Sequence, residues 1–123
     1  MNETLDPRRA AGLLQAQLQR AEDLFARGEY PAAAEAYQLA ERMGSSTPES
    51  RERRKVCADI AYIVRYREFT KGGILDSAQV ISAKENLARI NPFTLPNESL
   101  REDHRRSLES VIREYKRLFG DEK

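Results

Sequence analysis

Cysteine, glycine, proline and a surplus of either charge are what this sequence has little of, and each shortage excludes something. Cys57 is the only cysteine, so no disulfide can close within the chain. With a single histidine beside it, His104, the residues for an intrachain zinc site are missing too. Twenty-one basic residues stand against 20 acidic ones, a formal charge of +1. No net field draws the chain toward nucleic acid or anionic lipid. No apolar run approaches the ~20 residues of a membrane-spanning helix. The opening Met1-Asn2-Glu3-Thr4 lacks the basic-then-apolar layout of a secretion signal. These features lead to the expectation of a cytoplasmic protein with no membrane span.

What is present is helix-forming. Charged residues make up 33% and apolar residues 40%, a balance that favours a folded helical chain over a disordered one. The expected fold class is all-α, with about five helices, in a single helical domain over 1–123. Asp6 is a candidate N-cap and Pro7 suits a first helical position. Leu14, Leu18, Ala21 and Phe25 then recur at helical spacing, and Gly28 ends the segment. A short second helix starts at Pro31, carries Ala33, Ala36, Tyr37 and Ala40, and stops at Gly44-Ser45-Ser46. The third begins at Thr47-Pro48-Glu49 and ends at Gly72-Gly73. Between Val56 and Val64 its apolar residues nearly encircle the axis, which predicts a central helix enclosed by neighbours. Asp76 with Gln79 three residues later predicts a capping box for the fourth helix, whose stripe is Val80, Ala83, Leu87 and Ile90. The fifth starts near Asn97 or Ser99, with His104, Leu108, Val111 and Tyr115 on one face.

The chain also repeats itself. An offset that takes Gly28 to Gly73 places Leu24 over Phe69, Ala21 over Tyr66, Tyr30 over Leu75 and Ala33 over Ala78. The first copy, Ala21 to Ala40, resembles a tetratricopeptide repeat. Ala21, Leu24, Gly28, Tyr30, Ala33, Tyr37 and Ala40 match that family's small, bulky, glycine and aromatic positions. Arg20 and Ser45 depart from it, and in the second copy Ser82 and Glu85 replace an aromatic and an alanine. The offset exceeds the family's ~34 residues by about three helical turns, which keeps a helical face in phase. The resemblance implies two helical hairpins, 6–43 and 47–91, followed by a capping helix over 97–119.

No constellation for catalysis emerges. His104 has no second histidine and lies on the fifth helix's stripe, so a packed structural role is expected. Cys57 lies among apolar neighbours, where a free thiol acts as a small hydrophobe. No glycine-rich phosphate loop is present; Gly72-Gly73 lacks the following Lys and Ser or Thr. The expectation is a non-enzymatic protein-interaction module that needs no cofactor or metal.

Two surfaces are candidates. The family resemblance implies a peptide groove lined by the first helix of each hairpin. On the matching positions, Glu22 and Phe25 would face it from the first helix, and Ile63, Arg67 and Lys71 from the third. The second surface is the basic run Arg51, Arg53, Arg54 and Lys55; seven basic residues stand against four acidic ones between 49 and 71. The leading expectation is a tetratricopeptide-like adaptor or assembly factor that binds a helix or extended peptide of another protein. A second subunit or the fifth helix would be the alternative filler of the groove. The alternative function is a nucleic-acid-associated helical protein using the basic face of the third helix, disfavoured by the near-zero net charge.

Overall fold

The computed structural model describes residues 7–73 and 75–120; the proposed Asp6 cap lies outside them. The fold is all-α, as the sequence predicts. Five helices follow one another: α1 (Pro7–Ala26), α2 (Tyr30–Arg42), α3 (Pro48–Lys71), α4 (Ser77–Arg89) and α5 (Glu98–Phe119), with one 3-10 turn at Pro92–Thr94. Among the described residues no helix is long and apolar enough to cross a membrane.

The helix ends follow from local chemistry. At the end of α1, Gly28 has φ +81°. Its N–H donates to the Phe25 carbonyl at 3.0 Å, and the Glu29 N–H donates to the Leu24 carbonyl at 2.9 Å. That is a Schellman stop, and glycine takes the left-handed φ without a Cβ penalty. α2 ends the same way. Gly44 has φ +97°, and the N–H groups of Gly44 and Ser45 donate to the carbonyls of Glu41 and Ala40. α3 opens on a reciprocal cap. The Thr47 hydroxyl accepts from the Ser50 N–H, and the Ser50 hydroxyl accepts from the Thr47 N–H, both at 3.0 Å. α4 has the capping box expected of Asp76 and Gln79. Asn97 caps α5 by accepting from the Leu100 N–H at 2.9 Å. Each cap satisfies backbone donors that the first turn otherwise leaves open.

The chain divides into two compact units, the first ending at Ala58 and the second beginning at Asp59, within α3. In the first unit, α1 and α2 pack closely. Ala21, Ala33, Ala36, Tyr37 and Cys57 form the buried core, edged by Leu18, Leu24, Phe25 and Tyr30. Alanines let the two backbones approach, and Tyr37 is the largest fully buried side chain. Apolar burial of a large side chain stabilises a fold by about 1.5–3 kcal/mol, here offset in part because the Tyr37 hydroxyl is buried with no hydrogen-bond partner among the described residues.

In the second unit the close pair is α4 and α5. Val80, Ala83 and Leu87 of α4 and His104, Ser107 and Val111 of α5 are buried, with Ile60, Ile63 and Tyr66 of α3. α3 is not apolar-enclosed all round, contrary to expectation. Its buried residues, Val56, Cys57, Ile60, Ile63 and Tyr66, recur at three- and four-residue spacing and make one stripe. Ala58 is exposed, and Val64 is 51% exposed. The apolar cluster in the sequence therefore mixes a core face with two residues that face solvent.

Candidate functional site

The basic run on the first part of α3 is knitted into its own unit. Arg53 forms an ion pair with Glu22 of α1, and its guanidinium lies over the Phe25 ring, 5.6 Å from the centroid. Phe25 in turn meets Tyr30 edge to face at 5.4 Å. Arg54 pairs with Glu41 of α2 at 3.0 Å. Arg51 donates to the Ser46 hydroxyl at 2.8 Å. Lys55 is exposed and also engaged. Glu22, Phe25 and Arg53 thus form one cluster, while Arg51 and Arg54 hold the start of α3 to the loop before it and to α2.

The remaining candidates, Ile63, Arg67 and Lys71, lie in the second unit and have different fates. Ile63 is fully buried. It is corrected from a partner-binding residue to a core residue, because its Cβ shares the stripe of Ile60 and Tyr66. Arg67 forms an ion pair with Asp103 of α5. Lys71 pairs with Glu68 at 3.2 Å on the exposed side of the same helix. Near Arg67, α5 therefore covers the face of α3 that the family resemblance would leave open. The hydroxyl of Tyr66 donates to Ser110 Oγ of α5 at 3.1 Å.

His104 is buried, and its Nε2 lies 2.8 Å from the Leu87 carbonyl. A carbonyl only accepts, so Nε2 carries the hydrogen and the ring ties α5 to α4. Cys57 is buried among apolar groups, and burial pushes its thiol up to about 11. A thiol so held is a poor nucleophile. Among the described residues no three His, Cys, Asp or Glu side chains gather where they could hold a metal ion.

An apolar surface lies between the second part of α3 and α4. It is a groove of about 340 Å³, walled by Tyr62, Tyr66 and Phe69 of α3 and floored by Leu75, Ala78, Ser82 and Ala83. In the first unit Ala21 is in the core where α1 and α2 close on each other. At the sequence offset that takes Gly28 to Gly73, Tyr66 stands in the place of Ala21, and the backbones of α3 and α4 do not approach as α1 and α2 do. Tyr62, Tyr66 and Phe69 stand along one face of α3 at this groove, and α4 brings the small Ala78, Ser82 and Ala83 to it. Phe69 is left 51% exposed at its rim. Tyr62 is fixed by Asn86, whose amide donates to the phenol oxygen at 3.3 Å. The sequence pattern assigns neither Tyr66 nor Phe69 to a surface; tyrosine at 66, where the offset sets alanine at 21, is the signal that points to the groove.

Compared with protein-family models, curated proteins and solved structures, the chain matches none.

Proposed function

We propose that this chain is a non-enzymatic protein-interaction module, an adaptor or assembly factor of tetratricopeptide-repeat character working in the cytoplasm. Its working surface is the apolar groove between α3 and α4, and its occupant is an amphipathic helix of a partner protein. The observation that carries this reading is the aromatic wall of Tyr62, Tyr66 and Phe69 facing the small residues of α4. Helix recognition of this kind lays an apolar stripe into a hydrophobic groove. Covering the half-exposed Phe69 ring would add roughly 1 kcal/mol of apolar burial, about half the value for a whole side chain. Arg65 lies at the groove's edge and can accept an acidic residue from the polar side of such a helix. The basic run of α3 supports a nucleic-acid partner less well, because Arg53 and Arg54 are already paired with Glu22 and Glu41.

The test places a photoreactive benzoylphenylalanine at Phe69 and irradiates cells expressing the chain at its native level. The expected product is an adduct with one other protein, abolished when Ser82→Trp fills the groove. Adducts formed only between copies of this chain would replace the adaptor reading with self-association. An adduct pattern indifferent to Ser82→Trp would remove the groove from consideration.

A further inference from the structure

A second cleft in the same unit is polar, and it lies between α3 and α5. Arg67, Thr70 and Lys71 line it from α3, and Arg106, Ser107 and Ser110 from α5, around a volume of about 220 Å³. The helical spacing explains the arrangement. Residues 67, 70 and 71 share one face of α3, and 106, 107 and 110 share one face of α5. Among the described residues no carboxylate lines the cleft; the lining is three cations, the hydroxyl residues Thr70, Ser107 and Ser110, and Tyr66.

Two observations set this cleft apart from an ordinary solvated surface. The first is Ser107. Its residue is 3% exposed, and its hydroxyl has no hydrogen-bond partner among the described residues. A hydroxyl removed from water without a partner is unfavourable and calls for an explanation. The second is how the cations are paired. Arg106 shares the carboxylate of Glu102 with Arg105, which makes the shorter contacts to it. Lys71 pairs with the exposed Glu68. Exposed pairs of this type are weak and exchange readily for a better anion. Arg67 is the better-anchored cation, through Asp103.

We infer that this cleft binds a phosphate monoester. The charge of the ligand decides between anions. Each cation is already beside a carboxylate, so a second monoanionic carboxylate would replace like with like. A phosphodiester, with one negative charge, gains no more. A phosphate monoester carries about −1.5 to −2 charges near neutral pH and three strong acceptor oxygens. It can engage the guanidinium of Arg106 and the ammonium of Lys71, and accept from Ser107 once that buried hydroxyl turns into the cleft. Arginine with hydroxyl donors is the usual recognition chemistry for such a group. This inference does not depend on the apolar groove being occupied, although Tyr66 lies beside both.

The experiment titrates the isotope-labelled full chain with inorganic phosphate and, separately, with O-phosphoserine, following backbone amide shifts at constant ionic strength. The expected result is saturable shifts confined to residues 66–71 and 106–110. Arg106→Gln should weaken binding about tenfold, in line with loss of one charge-assisted contact. Ser107→Ala should weaken it several-fold while leaving the melting temperature unchanged or higher. Tighter binding of O-phosphoserine than of inorganic phosphate would assign the ligand to a phosphorylated side chain; the reverse order would assign it to a free phosphate. Three results would overturn the inference: shifts that do not saturate, affinities the same in both variants, or equal binding of a dinucleotide phosphodiester.

Discussion

The Arg67–Asp103 pair gives a sharp test of how α3 and α5 are held. The two side chains are 41% and 31% exposed, so the pair is neither a free surface contact nor a fully buried one. Exposed pairs contribute about 0.2–1 kcal/mol, whereas removing one partner of a buried pair costs about 3–5 kcal/mol. At this exposure the coupling between the two residues should be about 1 kcal/mol, near the top of the exposed range. Arg67→Ala and Asp103→Ala should each lower unfolding free energy by roughly that amount, and the double variant by less than the sum. Arg67→Glu should cost about 2 kcal/mol, because it removes the attraction and sets two carboxylates together. Combining Arg67→Glu with Asp103→Arg should recover at least half of that loss. Urea unfolding followed by far-ultraviolet circular dichroism measures all of these. Additive single variants, or a charge swap that recovers nothing, would show that the pair does not hold α5 to α3.

Other consequences follow from burial and capping. Ile63→Ala should destabilise the fold by about 2–5 kcal/mol as a core truncation, while Val64→Ala, one residue on, should change it by less than about 0.5 kcal/mol; similar values in thermal melts would refute the assigned stripe. Alkaline stability should depend on Cys57 and Tyr37. Burial raises the thiol from 9.0 to about 11 and the phenol from 10.0 to about 12. The raised values favour the protonated folded state, so the contribution of Cys57 is whole below pH 9 and is lost as pH rises through about 11. The slope per group is about 1.4 kcal/mol per pH unit. Cys57→Val should flatten the fall in melting temperature over that window, and an unchanged slope would mean the thiol is not its source. Asp76→Ala should cost about 1 kcal/mol through loss of the α4 cap; a melt indistinguishable from that of the unaltered protein would contradict the cap's role.

Local signals were legible in the sequence wherever chemistry acts over a few residues. Gly28 and Gly44 stop helices because only glycine takes their φ cheaply. Asp76 and Gln79, Thr47 and Asn97 mark helix starts through side-chain hydrogen bonds that span one turn. His104 and Cys57 proved buried because each sits on an apolar stripe. Long-range pairing was not legible in the same way. Val64 is as apolar as Ile63, and only the placement of α3 in its unit turns one outward and the other inward. Arg67 read as a groove residue because Asp103, its partner, comes from a helix far along the chain. The polar cleft was missed for a similar reason: its hydroxyls and cations belong to two helices, and neither helix alone shows a site.

The passage from one unit to the other at Ala58 and Asp59 has a practical meaning for anyone cutting the chain. Most domain boundaries fall in loops, where an expression boundary or a protease can pass without harm. Here the seam lies in mid-helix, with 11 residues of α3 before it and 13 after it. Truncation at the seam would leave each fragment with a frayed half-helix that carries buried residues, Val56 and Cys57 on one side and Ile60 and Ile63 on the other. Fragments meant for separate study are better made to overlap, each carrying all of Pro48–Lys71.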